Sequence, residues 1–444
     1  MDKINLFWFR RDLRLIDNHG LHEALQSNAK VLCLFIFDKN ILEELPPNDA
    51  RVTFIHRELE RVKSELNTHG GDLTIRHGNP IEVWQSLLNE YQVSTVYTNH
   101  DYEPYAKARD NEVESLLNSN GVNFYTYKDQ VIYEREEIQK KAGGIYTVFT
   151  PYKRTWLAKF EEEYKAFLQS SALQSKYPSE DCMANLLQVP KPEKMLSLKD
   201  IGFVESDIPI PNKTPTQKTI KTYSVNRDFP AIKAGTSRLG IHFRFGTVSL
   251  RKKAIKAFHL SEIYLSELIW RDFYAQILAN HPQVIGNAYK PQYDGIEWIN
   301  DKEEFEKWKA GMTGYPLVDA GIRELNQTGH MHNRVRMVVA SFLTKHLLID
   351  WRWGEGYFAE KLLDFDLASN NGGWQWAAGT GTDAAPYFRI FNPESQMKRF
   401  DAKLEYVHKW VPEYGTDQYP DPIVDHKMAR ERCLATYKKA LSEG

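Results

Sequence analysis

Cysteine is scarce in this chain: Cys33, Cys182 and Cys433 are all it has in 444 residues. An odd number of widely spaced thiols supports neither a disulfide framework nor a thiolate metal site, which points to a reducing, cytoplasmic compartment. Long apolar runs are missing too, none approaching the ~18 residues of a membrane span. Met1-Asp2-Lys3-Ile4-Asn5 lacks the basic start and apolar middle of a secretory signal, so export is not expected. Nor is there an excess of one charge, since 57 Lys and Arg face 59 Asp and Glu for a formal net charge of −2. A nucleic-acid surface would therefore have to be a local basic patch. A soluble monomer, away from membranes, is the expectation.

Aromatic residues, by contrast, make up 13% of the chain, and eight of the eleven tryptophans follow residue 250. A large helical core filled with indoles would account for that asymmetry, and so would a function that needs them. The length exceeds what one hydrophobic core ordinarily serves and predicts two domains.

The first third alternates β-rich runs with helical stretches. The runs are Ile4 to Phe9, Val31 to Phe37, Leu73 to His77, Thr95 to Thr98 and Phe124 to Tyr127. Between the second and third, Val52, Ile55, Leu59, Val62 and Leu66 recur at spacings of three and four, so one helical face packs on a sheet. This rhythm predicts an α/β, doubly wound parallel-sheet domain over 1–133. No GxGxxG follows the first strand, so an ordinary dinucleotide fold is disfavoured. Prolines 178, 190, 192, 209, 211 and 215 interrupt any periodic element, and 134–219 reads as an interdomain connection. After it, helical patterns dominate, notably Leu260 to Ala279 and Pro316 to Leu348, which predicts an all-α domain over 220–444.

Four segments of that second domain carry candidate chemistry. Gly235-Thr236-Ser237-Arg238-Leu239-Gly240 can present backbone and hydroxyl donors to phosphate oxygens, or be a plain loop. On a helix, Glu267, Trp270, Arg271 and Tyr274 share one face, either as a binding surface or as an Arg–Glu pair shielding a buried indole. A helix over Gly329 to Met337 stacks Asn333 and Met337 with Arg336 close to both. His330 and His332 stand two apart, on different sides of that helix, which rules out a helical zinc pair. Arg334 and Arg336 either grip phosphates or solvate the helix. The run Asp364 to Pro393, containing Asn370-Asn371-Gly372-Gly373-Trp374-Gln375-Trp376, has little periodicity of its own. Its glycines, amides, carboxylates and indoles describe a backbone pressed around a flat polar ligand.

Together with Phe7-Trp8-Phe9-Arg10-Arg11-Asp12-Leu13-Arg14-Leu15-Ile16-Asp17-Asn18, these segments resemble the photolyase and cryptochrome family over nearly the whole chain. Within it they are most similar to class I cyclobutane pyrimidine dimer photolyases. The resemblance implies light-driven repair of UV-damaged DNA, with FAD in the helical domain. The matching flavin-contact positions are Tyr223, Thr236, Ser237, Arg238, Leu239, Gly240, Tyr264, Asp364, Phe365 and Asp366, with Gly240 in place of the usual serine. Asn370 matches the residue beside flavin N5, and Trp374, Trp351 and Trp298 match an electron relay.

For repair, the resemblance implies that Glu267 bonds to a flipped-out dimer, Trp270 and Met337 wall it, and Asn333 orients it. It places Arg227, Arg334 and Gln396, with Arg271 and Tyr274, on the DNA. Six-four photolyases resemble the same pattern but carry histidines where this chain has Asn333 and Met337, so that substrate is disfavoured. A blue-light receptor of the cryptochrome type is the alternative. In the α/β domain, Tyr105 and Ala106 replace the Asn-Glu pair expected for a methenyltetrahydrofolate antenna. Folate, a deazaflavin, a second flavin or no antenna remain open.

Overall fold

A computed structural model describes residues 3–170 and 173–443; Met1, Asp2, Ser171, Ala172 and Gly444 lie outside the described residues. Five strands appear where the alternation predicts them: β1 (Ile4–Phe9), β2 (Val31–Asp38), β3 (Leu73–Gly78), β4 (Val93–Asn99) and β5 (Asn123–Tyr127). All pair in parallel, in the order β3-β2-β1-β4-β5. Strands β1 and β2 are buried along their whole length, as expected of central strands covered on both faces, whereas the edge strand β5 is largely exposed. The helix predicted from Val52 to Leu66 spans Ala50–Thr68, with Asp49 accepting from Arg51 N at its N-cap and Val52, Leu59, Val62 and Leu66 buried.

The polar residues after β1 are consumed in structure. Asp17, itself fully buried, accepts from Ser249 Oγ and from Arg251 Nε at 2.8 Å. Asp129 receives both Arg14 Nη2 and Arg251 Nη2 at 2.7 Å. Burial alone would raise the Asp129 carboxyl; the two guanidiniums hold it below its ordinary range.

The chain divides into two compact units. One runs from the N-terminus through Ile132 and includes Glu161–Lys213 and Leu239–Lys256. The other comprises Tyr133–Phe160, Thr214–Arg238 and everything from Ala257 onward. The span 134–219 is thus shared out. A helix at Phe149–Glu163 buries Phe149, Tyr152, Trp156 and Phe160, at spacings of three and four. Its Trp156 Nε1 donates to Asp272 Oδ2 at 2.9 Å inside the helical unit. In the other direction Leu187 N donates to Val31 O at 2.8 Å and Val189 N to Gly70 O at 2.9 Å, so the proline-rich stretch docks on the α/β unit.

Two helical expectations need correction. The pattern from Pro316 to Leu348 is not one helix but two, Pro316–Thr328 and Asn333–Ser341, followed by a π-helical turn at Phe342–His346. Gly329, at φ 63°, ends the first in the left-handed region. His330 and His332 therefore lie in the connection, where His332 Nδ1 accepts from Arg334 N at 3.2 Å and caps the second helix. Second, the run after Asp364 contains a regular helix, Leu367–Ala378, with Asp366 capping it through Ser369 N. Paired glycines weaken local helix propensity and its apolar residues face several sides, so periodicity conceals it; tertiary packing supplies the stability. Gly372 is required there, because a Cβ would come within 2.2 Å of the Tyr274 ring on Glu262–Asn280.

Candidate active site

A cavity of about 410 Å³ opens among the helices Glu262–Asn280, Asn333–Ser341, Trp351–Lys361 and Leu367–Ala378 of the second unit. Glu267, Trp270, Arg271 and Tyr274 come from the first of these, as the i, i+3, i+4 spacing predicts. Asn333, Arg336 and Met337 face them from the second, and Asn370, Gly373, Trp374 and Trp376 from the last. Asp364, Phe365 and Asp366 complete one side.

The aromatic wall is rigid. Trp270 stacks on Phe149 with ring centroids 3.7 Å apart and planes 8° apart, while Tyr274 lies 5.4 Å away on a tilted plane. Phe149 is held in turn, its N–H donating to Asp383 Oδ2 at 3.1 Å. An indole fixed this way presents a flat apolar surface without losing rotamer freedom when a ligand arrives.

Charges lining the cavity are paired. Arg336 Nη2 donates to both Asp364 oxygens at 3.0 Å, and its Nε donates to Met331 O at 2.8 Å. Arg271 lies 4.0 Å from Asp366. Arg227 Nη1 donates to Glu267; away from the cavity lining, Arg334 Nη2 donates to Asp228 at 2.8 Å. Burial pushes the Glu267 carboxyl above the usual carboxylate range, with the Arg227 guanidinium opposing. The Arg–Glu pairing expected on one helical face is therefore not the one observed: Glu267 pairs with Arg227 from outside its helix, and Arg271 stands near Asp366 instead.

Asn370 and Asn371 share a third carboxylate residue. Asn370 Nδ2 donates to the Glu355 backbone carbonyl at 3.1 Å, which fixes the rotation of the amide, and Asn371 Nδ2 donates to Glu355 Oε1 at 3.0 Å. Burial raises the Glu355 carboxyl to about 7 against the lowering effect of Asn371.

Other expected positions lie off this cavity. Tyr264 OH donates to Ser237 Oγ at 3.0 Å, and Tyr223 packs edge-on to Tyr264 at 5.1 Å. Arg238, at φ 52°, stands 3.8 Å from Glu324 with a buried Nε that lacks a hydrogen-bond partner. Thr236 precedes this pair in the same unit, whereas Leu239 and Gly240 belong to the α/β unit. Gln396 has a buried, unpartnered Oε1. Trp374 and Trp351 are buried and Trp298 is half-buried, all on one apolar cluster, and the Trp374 ring meets Trp308 at 6.2 Å. In the α/β unit, Tyr105 OH donates to Asp38 Oδ2 at 2.7 Å. No group of three or more metal-ligating side chains occurs among the described residues.

Sequence reasoning missed Phe149 and Glu355, whereas Gly373 and Trp376 lie in the run read as pressed around a flat ligand. Phe149 carried no signal, since its partner Trp270 is more than a hundred residues away.

Residues 5–170 match the model of DNA photolyase and residues 264–416 that of the FAD binding domain of DNA photolyase. The chain is 35% identical to a deoxyribodipyrimidine photo-lyase of Halobacterium salinarum, over 98% of this chain and 99% of that one. The chain belongs to the DNA photolyase family. Among solved structures it resembles a bacterial class III photolyase from Agrobacterium tumefaciens, at a TM-score of 0.82 and 33% identity over 100% of this chain and 98% of that one. It also resembles an archaeal photolyase from Sulfolobus tokodaii, solved with two FAD molecules, at 0.77 and 32% over 98% and 99%. The α/β sheet unit and helical unit are the fold of that family.

The residues present fit a flavin. Gly373 lines the cavity, and a Cβ placed there meets nothing within 4 Å, so the helix leaves room for a flat ring against its backbone. Asn370 sits one turn away with its amide already oriented, and Arg238 has a buried donor to spare.

Proposed function

We propose that this protein splits cyclobutane pyrimidine dimers in DNA by light-driven electron transfer within the cavity described above. One observation carries the reading: Glu267, Trp270, Asn333 and Met337 face a single cavity that also presents Asn370 and Gly373. Photolyases are among the enzymes that take their target base out of the stack, and a fused pyrimidine pair needs apolar walls and polar groups for its carbonyl and imide edges. Trp270, backed by Phe149, and Met337 supply the walls, with Trp376 as a further aromatic face. Glu267 meets the carbonyl and imide edge. A carboxyl group placed at that edge, in a site shielded from water, can bond to the base and be released from Arg227 as it does so. Asn333 orients the base, and Arg271 and Tyr274 border it.

Asn370, Gly373 and the Asp364–Asp366 side would hold FAD, which in its reduced form would supply light-driven one-electron chemistry to the dimer. Asn370 offers a neutral amide in place of a charge, Arg238 and Ser237 hold phosphate oxygens, and Tyr223, Tyr264 and Thr236 complete the cofactor contacts within the helical unit. Trp374, Trp351 and Trp298 would relay electrons toward a bound flavin; packed indoles suit this because they oxidise readily. Arg227, Arg334 and Gln396 hold the DNA backbone.

Illumination of the reduced holoprotein with DNA carrying cyclobutane thymine dimers tests this. Loss of dimers with time is expected in the light and not in the dark. Unchanged dimer content with flavin bound refutes the reading. A blue-light receptor of the same family would in addition show no dark preference for damaged over intact duplex.

A further inference from the structure

Both guanidiniums proposed to hold the DNA backbone are already engaged. Arg334 Nη2 donates to Asp228 Oδ1 at 2.8 Å, Arg227 Nε lies 3.9 Å from the same oxygen, and Arg227 Nη1 donates to Glu267. The four side chains form one line, Glu267, Arg227, Asp228, Arg334, in which two positive charges meet two negative ones. Glu267 and Arg227 line the cavity. Arg334 does not; its guanidinium rests 4.4 Å over the Phe400 ring, and its buried Nε has no partner. Asp228 caps no helix, and among the described residues only Arg334 donates a hydrogen bond to it. Its side chain is 37% exposed, too open for a carboxylate that anchors a core.

We propose that Asp228 couples occupancy of the cavity to the grip of Arg334 on a DNA phosphate, and so determines how strongly the protein discriminates damaged from intact DNA. The inference rests on the repair reading given above. A base edge that enters the cavity and bonds to Glu267 takes away the partner of Arg227. The nearest anion left to Arg227 is Asp228. Once Arg227 turns onto Asp228, that carboxylate no longer needs Arg334. Arg334 then has Nη2 available to a phosphate oxygen as a charge-assisted donor. With intact DNA nothing enters the cavity, Glu267 keeps Arg227, and Asp228 keeps Arg334. A phosphate must then compete with a carboxylate already in place. Specificity comes from an intramolecular anion that occupies the grip until the lesion releases it.

The test is dark equilibrium binding of the holoprotein to a labelled duplex with one cyclobutane thymine dimer and to the same duplex intact. Asp228→Asn keeps the shape and removes the charge. It is expected to bind intact duplex about tenfold more tightly, within the usual range of site-to-site coupling, while affinity for the dimer duplex changes less than about threefold. On intact duplex the variant should also steepen the salt dependence by roughly one phosphate contact. Asp228→Glu restores discrimination. A merely structural role for Asp228 would weaken binding to both duplexes, never tighten it to one, and that result overturns the proposal, as does unchanged affinity for intact duplex.

Should Asp228→Asn lose its flavin, Arg334→Gln serves instead: dimer-duplex affinity falls and intact-duplex affinity holds. An equal loss on both overturns the coupling. If the parent protein itself shows no preference for the dimer duplex, the repair reading fails, separately from the role of Asp228.

Discussion

Glu355 makes the pH response of this fold predictable. Its carboxyl is raised from 4.5 to about 7, first by burial, with the hydrogen bond from Asn371 opposing. The folded protein therefore holds this proton more tightly than the unfolded chain does. The stability contributed by Glu355 is intact below pH 4.5 and is lost progressively as pH rises through about 7. A shift of this size corresponds to about 3.5 kcal/mol between the two limits, at roughly 1.4 kcal/mol per pH unit. Glu355→Gln stays neutral at every pH and keeps an oxygen for Asn371. It is expected to melt with wild type at pH 4 and above it at pH 8.5. With an unfolding entropy of roughly 2 cal/mol/K per residue over 444 residues, the gain is about 3–4 °C. Groups with depressed values, such as His332 at about 4, move the curves of both proteins alike and cancel in the difference. The direct assay is the infrared band of the protonated carboxyl in wild type minus Glu355→Gln, titrated from pH 5 to 9. Its loss should centre near 7. A band already absent at pH 6, or parallel melting curves for the two proteins, would refute the reasoning.

Filling the space at Gly373 should exclude the flavin without unfolding the helix, since a Cβ there meets nothing in the protein. Gly373→Leu is expected to purify without the flavin absorbance band yet keep its far-ultraviolet circular dichroism, and full flavin content in that variant would move the ring elsewhere. Glu267→Ala should retain FAD and lower dimer-DNA affinity about tenfold or more, the loss of one charge-assisted hydrogen bond worth ~1.5–3 kcal/mol; it should also lower repair per absorbed photon, and equal yields would remove Glu267 from the mechanism. Asp17→Ala leaves Arg251 charged at 3% side-chain exposure, so urea denaturation should show a loss of about 3–5 kcal/mol. An unchanged midpoint would mean that Asp129 alone compensates Arg251.

The two units differed in how much of them could be read in advance. The alternation of five β runs with helical stretches was enough for the parallel sheet, because strand and helix periods are local properties. Pro316 to Leu348 misled as a single helix, since apolar spacing continues across the Gly329 break and only φ 63° at that glycine reveals it. Leu367–Ala378 misled in the opposite sense. Its glycines look like loop, yet Gly372 is there so that Tyr274 of another helix can approach.

The sequence by itself determined which residue types stand at which helical spacing. Glu267, Trp270, Arg271 and Tyr274 had to share a face, as did Asn333 and Met337, because 3.6 residues per turn leaves no other arrangement. It also carried the family resemblance, which rests on the order of residues and needs no coordinates. Only the tertiary structure decided that those two faces meet across one cavity, that Phe149 backs Trp270, and that Glu355 lies under Asn370 and Asn371. It alone shows that Arg227 and Arg334 are held by Glu267 and Asp228. The reason is physical: spacing along a helix is set by local geometry, whereas burial, pairing of charges and the proton affinity of a carboxyl depend on residues brought close by the fold.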